Sequence, residues 1–103
     1  MTFLAKTSEI PDGARALVMV NEVPVAVFHQ DGRFYALHND CPHRQGPLSR
    51  GTVAADPEGH GCFVRCPMHG WKFHLDTGDS YGRPENATVY AVTQKDDSLY
   101  IEL

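Results

Sequence analysis

The amino-acid sequence has 103 residues, a net charge of −4 at pH 7, 42% hydrophobic residues and 21% charged residues. This length and ordinary composition indicate one globular domain, residues 1–103, with a modest core. The negative charge argues against a nucleic-acid partner, because phosphates attract Lys and Arg. The longest apolar run, Ala16–Val20, is too short to cross a membrane, which takes about 20 residues. Because residues 1–9 lack a basic segment followed by an apolar stretch, we expect a cytoplasmic location.

The first forty residues are predicted to form an antiparallel meander. Its strands are runs rich in β-branched and aromatic residues, namely Ala14–Val20, Val23–His29 and Arg33–Leu37. Short turn sequences separate these runs, first at residues 21–22 and then at residues 30–32. Residues 8–14 are compatible with a short helical turn, whose length Pro11 would limit.

The second half combines a long loop with further short strands. Residues 39–61 are rich in Pro and Gly and are predicted to lack regular structure, and loops of this length in small domains are usually functional. Within this loop, residues 56–61 are interpreted as a solvated hairpin tip. The strands predicted after it are Cys62–Arg65, Trp71–Leu75, Thr88–Thr93 and Leu99–Leu103. No segment keeps helical periodicity for three turns, so the predicted fold is all-β, an antiparallel sandwich or small barrel.

Two short motifs supply the side chains that bind metals. Cys41-Pro42-His43 and Cys66-Pro67-Met68-His69 each contain one thiol and one imidazole, and 22 residues separate the motifs. Residues two or three apart in a turning loop can face one centre, and the prolines stiffen the backbone between them. Two Cys and two His suit either a tetrahedral zinc ion or an iron–sulfur cluster.

The order of the ligands distinguishes these two groups. Structural zinc sites more often pair Cys with Cys and His with His, whereas each motif here gives a Cys and then a His. In a Rieske centre, two Cys bind one iron of a [2Fe–2S] cluster and two His bind the other. The sequence resembles a Rieske domain in both motifs, in Gly46-Pro47-Leu48, and in the segment from Gly70 to Phe73 that runs into Asp76-Thr77-Gly78. With the surrounding strands, the resemblance covers nearly the whole chain.

This resemblance implies a fold, a cofactor and a set of ligands. The fold would be a Rieske-like antiparallel β-sandwich or small barrel with a two-loop cluster-binding subdomain at about residues 38–84, and the cofactor would be a Rieske-type [2Fe–2S] cluster. The inner iron would be held by two cysteines and the outer, solvent-facing iron by two histidines. In this sequence the four ligands would be Cys41, His43, Cys66 and His69.

Residues around the motifs are expected to support the cluster. Gly46 and Gly70 match positions where the family brings backbone N–H groups close to cluster sulfurs, which a side chain would obstruct. Residues 81–84 resemble the proline-containing loop that shields the cluster from water. Cys62 is predicted to be a buried strand thiol, and Trp71 either packs in the core or lies half exposed near the cluster.

The function implied by the resemblance is electron transfer. The sequence contains no Gly-rich phosphate loop, nucleotide fingerprint or Ser/His/Asp order, so we expect no catalytic site of its own and expect a partner to perform the substrate chemistry. One candidate is a ferredoxin that shuttles electrons from a flavin-dependent reductase to a terminal ring-hydroxylating oxygenase. Another is the small subunit of an assimilatory nitrite reductase, beside its large flavin and sirohaem subunit.

The sequence gives arguments for both partner systems. The 22-residue spacing and the Leu48-Ser49-Arg50-Gly51 sequence resemble nitrite reductase small subunits, whereas the presence of all four ligands favours the oxygenase ferredoxin. A zinc-stabilised binding module without a redox role is the alternative from another functional class.

Overall fold

The computed structural model describes residues 1–42, 46–57, 59, 61–68 and 70–103. Within them, ten strands form three antiparallel sheets, joined by turns and by 3-10 helices at Thr7–Glu9 and Leu48–Arg50, which confirms the predicted all-β class. Neither helix in this part of the chain is long and apolar enough to span a membrane. In chain order the strands are β1 (Thr2–Lys6), β2 (Arg15–Val20), β3 (Val23–Gln30), β4 (Arg33–His38), β5 (Thr52–Ala55), β6 (Cys62–Arg65), β7 (Lys72–His74), β8 (Val89–Tyr90), β9 (Val92–Lys95) and β10 (Ser98–Ile101).

The predicted meander is confirmed as β2, β3 and β4, which pair in sequence order and are joined on the far side of β4 by β8. Both of its hairpins use two-residue turns with positive φ, at Asn21 and Glu22 (49° and 69°) and at Asp31 and Gly32 (52° and 79°). Such turns match the right-handed twist of the flanking strands and therefore fix their register. The expected helical turn lies one residue earlier than predicted and is shorter, covering only residues 7–9.

A second sheet has the order β1-β10-β9 and was only partly predicted. Its strand β1 pairs with β10, which lies more than ninety residues later in the chain, so no local pattern indicated it. The predicted strand at Thr88–Thr93 is divided in the structure. Residues 89–90 pair with β4, whereas residues 92–95 pair with β10, because the chain passes from one sheet to the other at Ala91.

The third sheet, β5-β6-β7, corrects the prediction that residues 39–61 lack regular structure. The 3-10 helix Leu48–Arg50 and strand β5 both lie within this segment, and Thr52 to Ala55 pair with Arg65 to Cys62. Strand β5 has a short, largely exposed sequence, and its strand conformation comes from the hydrogen bonds to β6. The Pro and Gly residues mark the turns on either side of these elements.

Strand β3 separates two hydrophobic cores. Residues 25–28 are all buried, although neighbouring side chains of a strand point to opposite faces. Val25 and Val27 pack with β1 and β10, whereas Ala26 and Phe28 pack into the core that contains both motif cysteines. The two motif cysteines therefore share a core with the central sheet.

Gly78, in the turn after β7, has a φ of +78°, and a Cβ there would collide with the carbonyl oxygen of Ala87 and lie 3.0 Å from Val89 Cγ1. Gly82 has a similar φ of +75°, but a Cβ there meets nothing within 4 Å. We expect Gly82→Ala to cost about 1–2 kcal/mol for left-handed strain, and Gly78→Ala to cost about 1–3 kcal/mol more for the collision. Urea unfolding of both variants measures the difference, and equal costs would contradict the steric explanation.

Candidate metal centre

The two motif cysteines lie at the bases of two closed loops. Cys41 follows β4 and Cys66 directly follows β6, and their exposed fractions are 0% and 2%. The Cys41 N–H donates to the Gly46 carbonyl oxygen at 2.9 Å, and the Cys66 N–H donates to the Trp71 carbonyl oxygen at 2.7 Å. Each hydrogen bond closes a six-residue loop, 41–46 or 66–71, that contains the motif's His in the sequence.

The two loops pack directly on each other at Gly46. A Cβ at Gly46 would lie 2.9 Å from Cys66 Sγ and would collide with Cγ of Met68. The absence of a side chain therefore lets the backbone of the first loop approach the second cysteine. The structure thus brings the two predicted thiol ligands, Cys41 and Cys66, to adjoining loops in one core.

Asn39 holds the first loop in place, and sequence reasoning did not identify it. Its carbonyl oxygen accepts a hydrogen bond from the Leu48 N–H at 2.7 Å, and its side-chain Oδ1 accepts one from the Ser49 N–H at 2.9 Å. Asn39 is itself buried. A polar residue just before a metal-binding motif is the signal that could have indicated this anchoring role.

The described residues fit a metal-bound group. None of the three cysteines, all of which the structure describes, forms a disulfide. A buried thiolate is unfavourable unless a cation or metal compensates its charge, and Cys41 and Cys66 are buried among the apolar side chains of Leu48, Val64 and Phe73. Two buried thiols on touching loops are suitable donors for iron. The other two predicted ligands, His43 and His69, lie outside the described residues.

A third loop, residues 81–84, which was predicted to shield the cluster, lies next to the second cysteine loop, residues 66–71. The Arg83 guanidinium carbon lies 5.1 Å from the centre of the Trp71 ring, and Trp71 is only 8% exposed. Of the two roles considered for Trp71, core packing is therefore confirmed. Arg83 belongs to the predicted shielding loop and covers the indole ring.

Asp56 corrects the prediction of a fully solvated hairpin tip. The Tyr81 hydroxyl donates to Asp56 Oδ2 at 2.6 Å, and Asp56 is 7% exposed. The Tyr81 ring also stacks on His74, with ring centres 4.6 Å apart. This contact joins the β5–β6 hairpin to the third loop. Asp56 and Tyr81 lie 25 residues apart, so their pairing left no local signal in the sequence.

Cys62 is a strand thiol of β6, as predicted, but it is half-buried rather than fully buried. Its Sγ lies 4.0 Å from Asp31 Oδ2. Burial and, to a smaller extent, the negative charge of Asp31 raise the pKa of the Cys62 thiol. A raised pKa favours the neutral thiol, which is the opposite of what a metal ligand requires.

Comparison with known proteins identifies the family. Residues 1–94 match the family model of the Rieske [2Fe-2S] domain. The chain belongs to the Rieske [2Fe–2S] family. The resemblance stated from the motifs is therefore confirmed, and the cofactor of this Rieske protein is a [2Fe–2S] cluster, not a single zinc ion.

Similar proteins include both of the expected kinds of Rieske electron carrier. The 3-phenylpropionate/cinnamic acid dioxygenase ferredoxin subunit of Photorhabdus laumondii is 32% identical over 96% of this chain and 90% of its own. A Mycobacterium tuberculosis protein assigned as an NADH-dependent nitrite reductase small subunit is 25% identical, with a TM-score of 0.83 over 95% of this chain and 88% of its own. A chain from the solved complex of oxygenase and ferredoxin in carbazole 1,9a-dioxygenase is 27% identical, with a TM-score of 0.78 over 99% of this chain and 100% of its own.

We expect Gly46→Ala to lower the iron content of the purified Rieske protein, because the new methyl group would push against Cys66 Sγ. The double variant Gly46→Ala/Met68→Ala removes the collision with Met68 but keeps the one with the sulfur, so it should remain impaired. Gly59→Ala serves as the control: its φ of +81° makes the alanine strained, but a Cβ there meets nothing within 4 Å, so backbone strain without a collision should leave the iron content unchanged. Iron analysis and the visible absorption spectrum measure the effect, and full iron content in the double variant would contradict this role for Gly46.

Proposed function

We propose that this Rieske protein is the ferredoxin component of an oxygenase system and carries electrons from a flavin-dependent reductase to a terminal oxygenase. The observation that carries the proposal is the pair of buried cysteines on two touching loops, each loop also containing a His in its sequence. A bound Rieske cluster takes up and releases an electron. The ligands proposed for it are Cys41, His43, Cys66 and His69.

The chain's own residues have separable tasks in this proposal. Cys41 and Cys66 would hold one iron of the cluster from within the core, where both are almost completely buried. His43 and His69 would hold the other iron. The hydrogen bonds at the bases of loops 41–46 and 66–71 fix the cysteine backbones, which limits the rearrangement of the ligands when the charge changes.

The domain organisation proposed is a single Rieske domain at residues 1–103 with its cluster-binding part at about residues 38–84. This part begins at the end of β4, includes the β5-β6-β7 sheet, and ends with the loop that carries Arg83. The arrangement is supported by Phe28 and Leu37 of the central sheet, which belong to the same hydrophobic core as Cys41 and Cys66.

Sequence similarity favours an oxygenase as the electron acceptor. The Photorhabdus laumondii ferredoxin subunit is similar over nearly the whole length of both chains, and the matching chain from the solved complex of oxygenase and ferredoxin is covered completely. The second candidate is the small subunit of a nitrite reductase. It is supported by the TM-score of 0.83 to the Mycobacterium tuberculosis protein and by the 22 residues between the motifs.

Three ligand variants and two control variants test the proposed ligands. We expect His43→Ala, His69→Ala and Cys66→Ser to abolish the Rieske absorption and electron paramagnetic resonance spectra, because each removes a bond to iron. The controls are His38→Ala and Cys62→Ser, which change the same residue types outside the motifs and should keep the spectra. Loss of the spectra in Cys62→Ser, with retention in Cys66→Ser, would show that the second thiol ligand is assigned wrongly.

Stopped-flow kinetics can decide between the two electron acceptors. We expect the chemically reduced protein to reduce the oxygenase component of the Photorhabdus laumondii dioxygenase at least about tenfold faster than the large subunit of an assimilatory nitrite reductase, since specific docking accelerates association. The rate is followed through the reoxidation of the cluster's visible absorption band. The reverse order of rates would favour the nitrite reductase function.

A further inference from the structure

The outer face of the β5-β6-β7 sheet places two cations side by side. Arg65 in β6 and Lys72 in β7 are directly opposite each other in the strand register. The neighbouring pair in the same register, Val64 and Phe73, is fully buried. Because successive strand residues point to opposite faces, Arg65 and Lys72 point away from the core.

Ring and backbone contacts hold both cations in position. Lys72 Nζ lies 5.1 Å from the ring centres of both Phe63 and Tyr81. The Arg65 guanidinium packs against Gly70, where a Cβ would lie 3.1 Å from both Nε and Nη2. A side chain that is already ordered loses less conformational entropy on binding, so these contacts prepare the two cations for a partner.

In the part of the chain that the structure describes, these cations form no ion pair. The ion pairs there join Met1 with Glu102, His29 with Asp12, and Arg33 with Asp76. None of them includes Arg65, Lys72 or Arg83, the third cation beside the second cysteine loop. Three cations without an ion pair among the described residues thus lie near the second cysteine loop of a protein whose net charge is −4.

The position of this surface relates it to the metal centre. Arg65 directly precedes Cys66, and Lys72 directly follows Trp71, so the two cations flank the loop 66–71 at both of its ends. A partner that contacts both cations would therefore lie against this loop. Electron transfer favours such a contact because its rate depends on a short distance between the redox groups.

We propose that Arg65 and Lys72, with Arg83 beside them, form a docking surface for an acidic face of the redox partner protein. This inference rests on the proposed function and names the chemistry of the partner surface. An acidic partner is repelled by the overall negative charge of this protein, so it is attracted only when this basic surface faces it. The charge distribution thus orients the encounter toward the second cysteine loop.

Adsorption to a carboxylate-terminated monolayer on gold tests the inference with a defined acidic surface. We expect the unmodified protein to adsorb at low ionic strength, less so as salt is added, and the double variant Arg65→Glu/Lys72→Glu to adsorb at least about tenfold more slowly. Surface plasmon resonance measures the adsorption and requires no electron transfer. The visible spectrum in solution reports separately whether the cluster is bound, so a failure of the proposed function is distinguishable from a failure of this inference.

The matched control is Lys6→Glu/Lys95→Glu, which changes the net charge by the same amount on the β1-β10-β9 sheet. We expect this control to keep at least about half of the original adsorption rate, because it leaves the basic surface intact. Equal losses in both double variants, or no loss in either, would overturn the proposal. If the glutamate variant does not fold, Arg65→Gln/Lys72→Gln replaces it, with a smaller loss expected in the same direction.

Discussion

The close approach of Gly46 to Cys66 Sγ is the contact on which the proposed metal centre depends. The two loops that meet there follow strands of different sheets, β4 and β6, and neither loop alone contains two thiols. Any side chain larger than hydrogen at position 46 would keep the loops apart. Bringing two cysteines together in a buried core costs solvation of both sulfurs, and iron bound there would offset this cost by pairing with the thiolates.

Strand β3 is buried on both of its faces, which explains how such a site fits into so small a protein. One face of the strand packs against β1 and β10, and this core contains no motif residue among those described. The other face packs against the loops and the β5-β6-β7 sheet. The central sheet therefore connects a purely structural core with the core that encloses Cys41 and Cys66, the two proposed thiol ligands.

The charged side chains are unevenly distributed over the protein. The protein as a whole is negative, yet cations flank the second cysteine loop and are held by aromatic rings and backbone contacts. The rings of Phe63 and Tyr81 hold the Lys72 ammonium group in position, and a hydrogen bond to Asp56 holds Tyr81 in position. The hairpin tip, the third loop and the basic surface are thus linked through one tyrosine.

The sequence by itself determined the features that depend on near neighbours in the chain. The meander, its two-residue turns and the Cys-then-His order of both motifs are local patterns, and the family comparison confirmed the Rieske resemblance drawn from them. Only the tertiary structure decided which distant segments meet. Strand β1 pairs with β10, β5 gains its conformation from β6, and Asp56 is buried by Tyr81. In each case a weakly patterned segment takes its structure from a partner remote in sequence, because hydrogen bonding and burial depend on contacts in space.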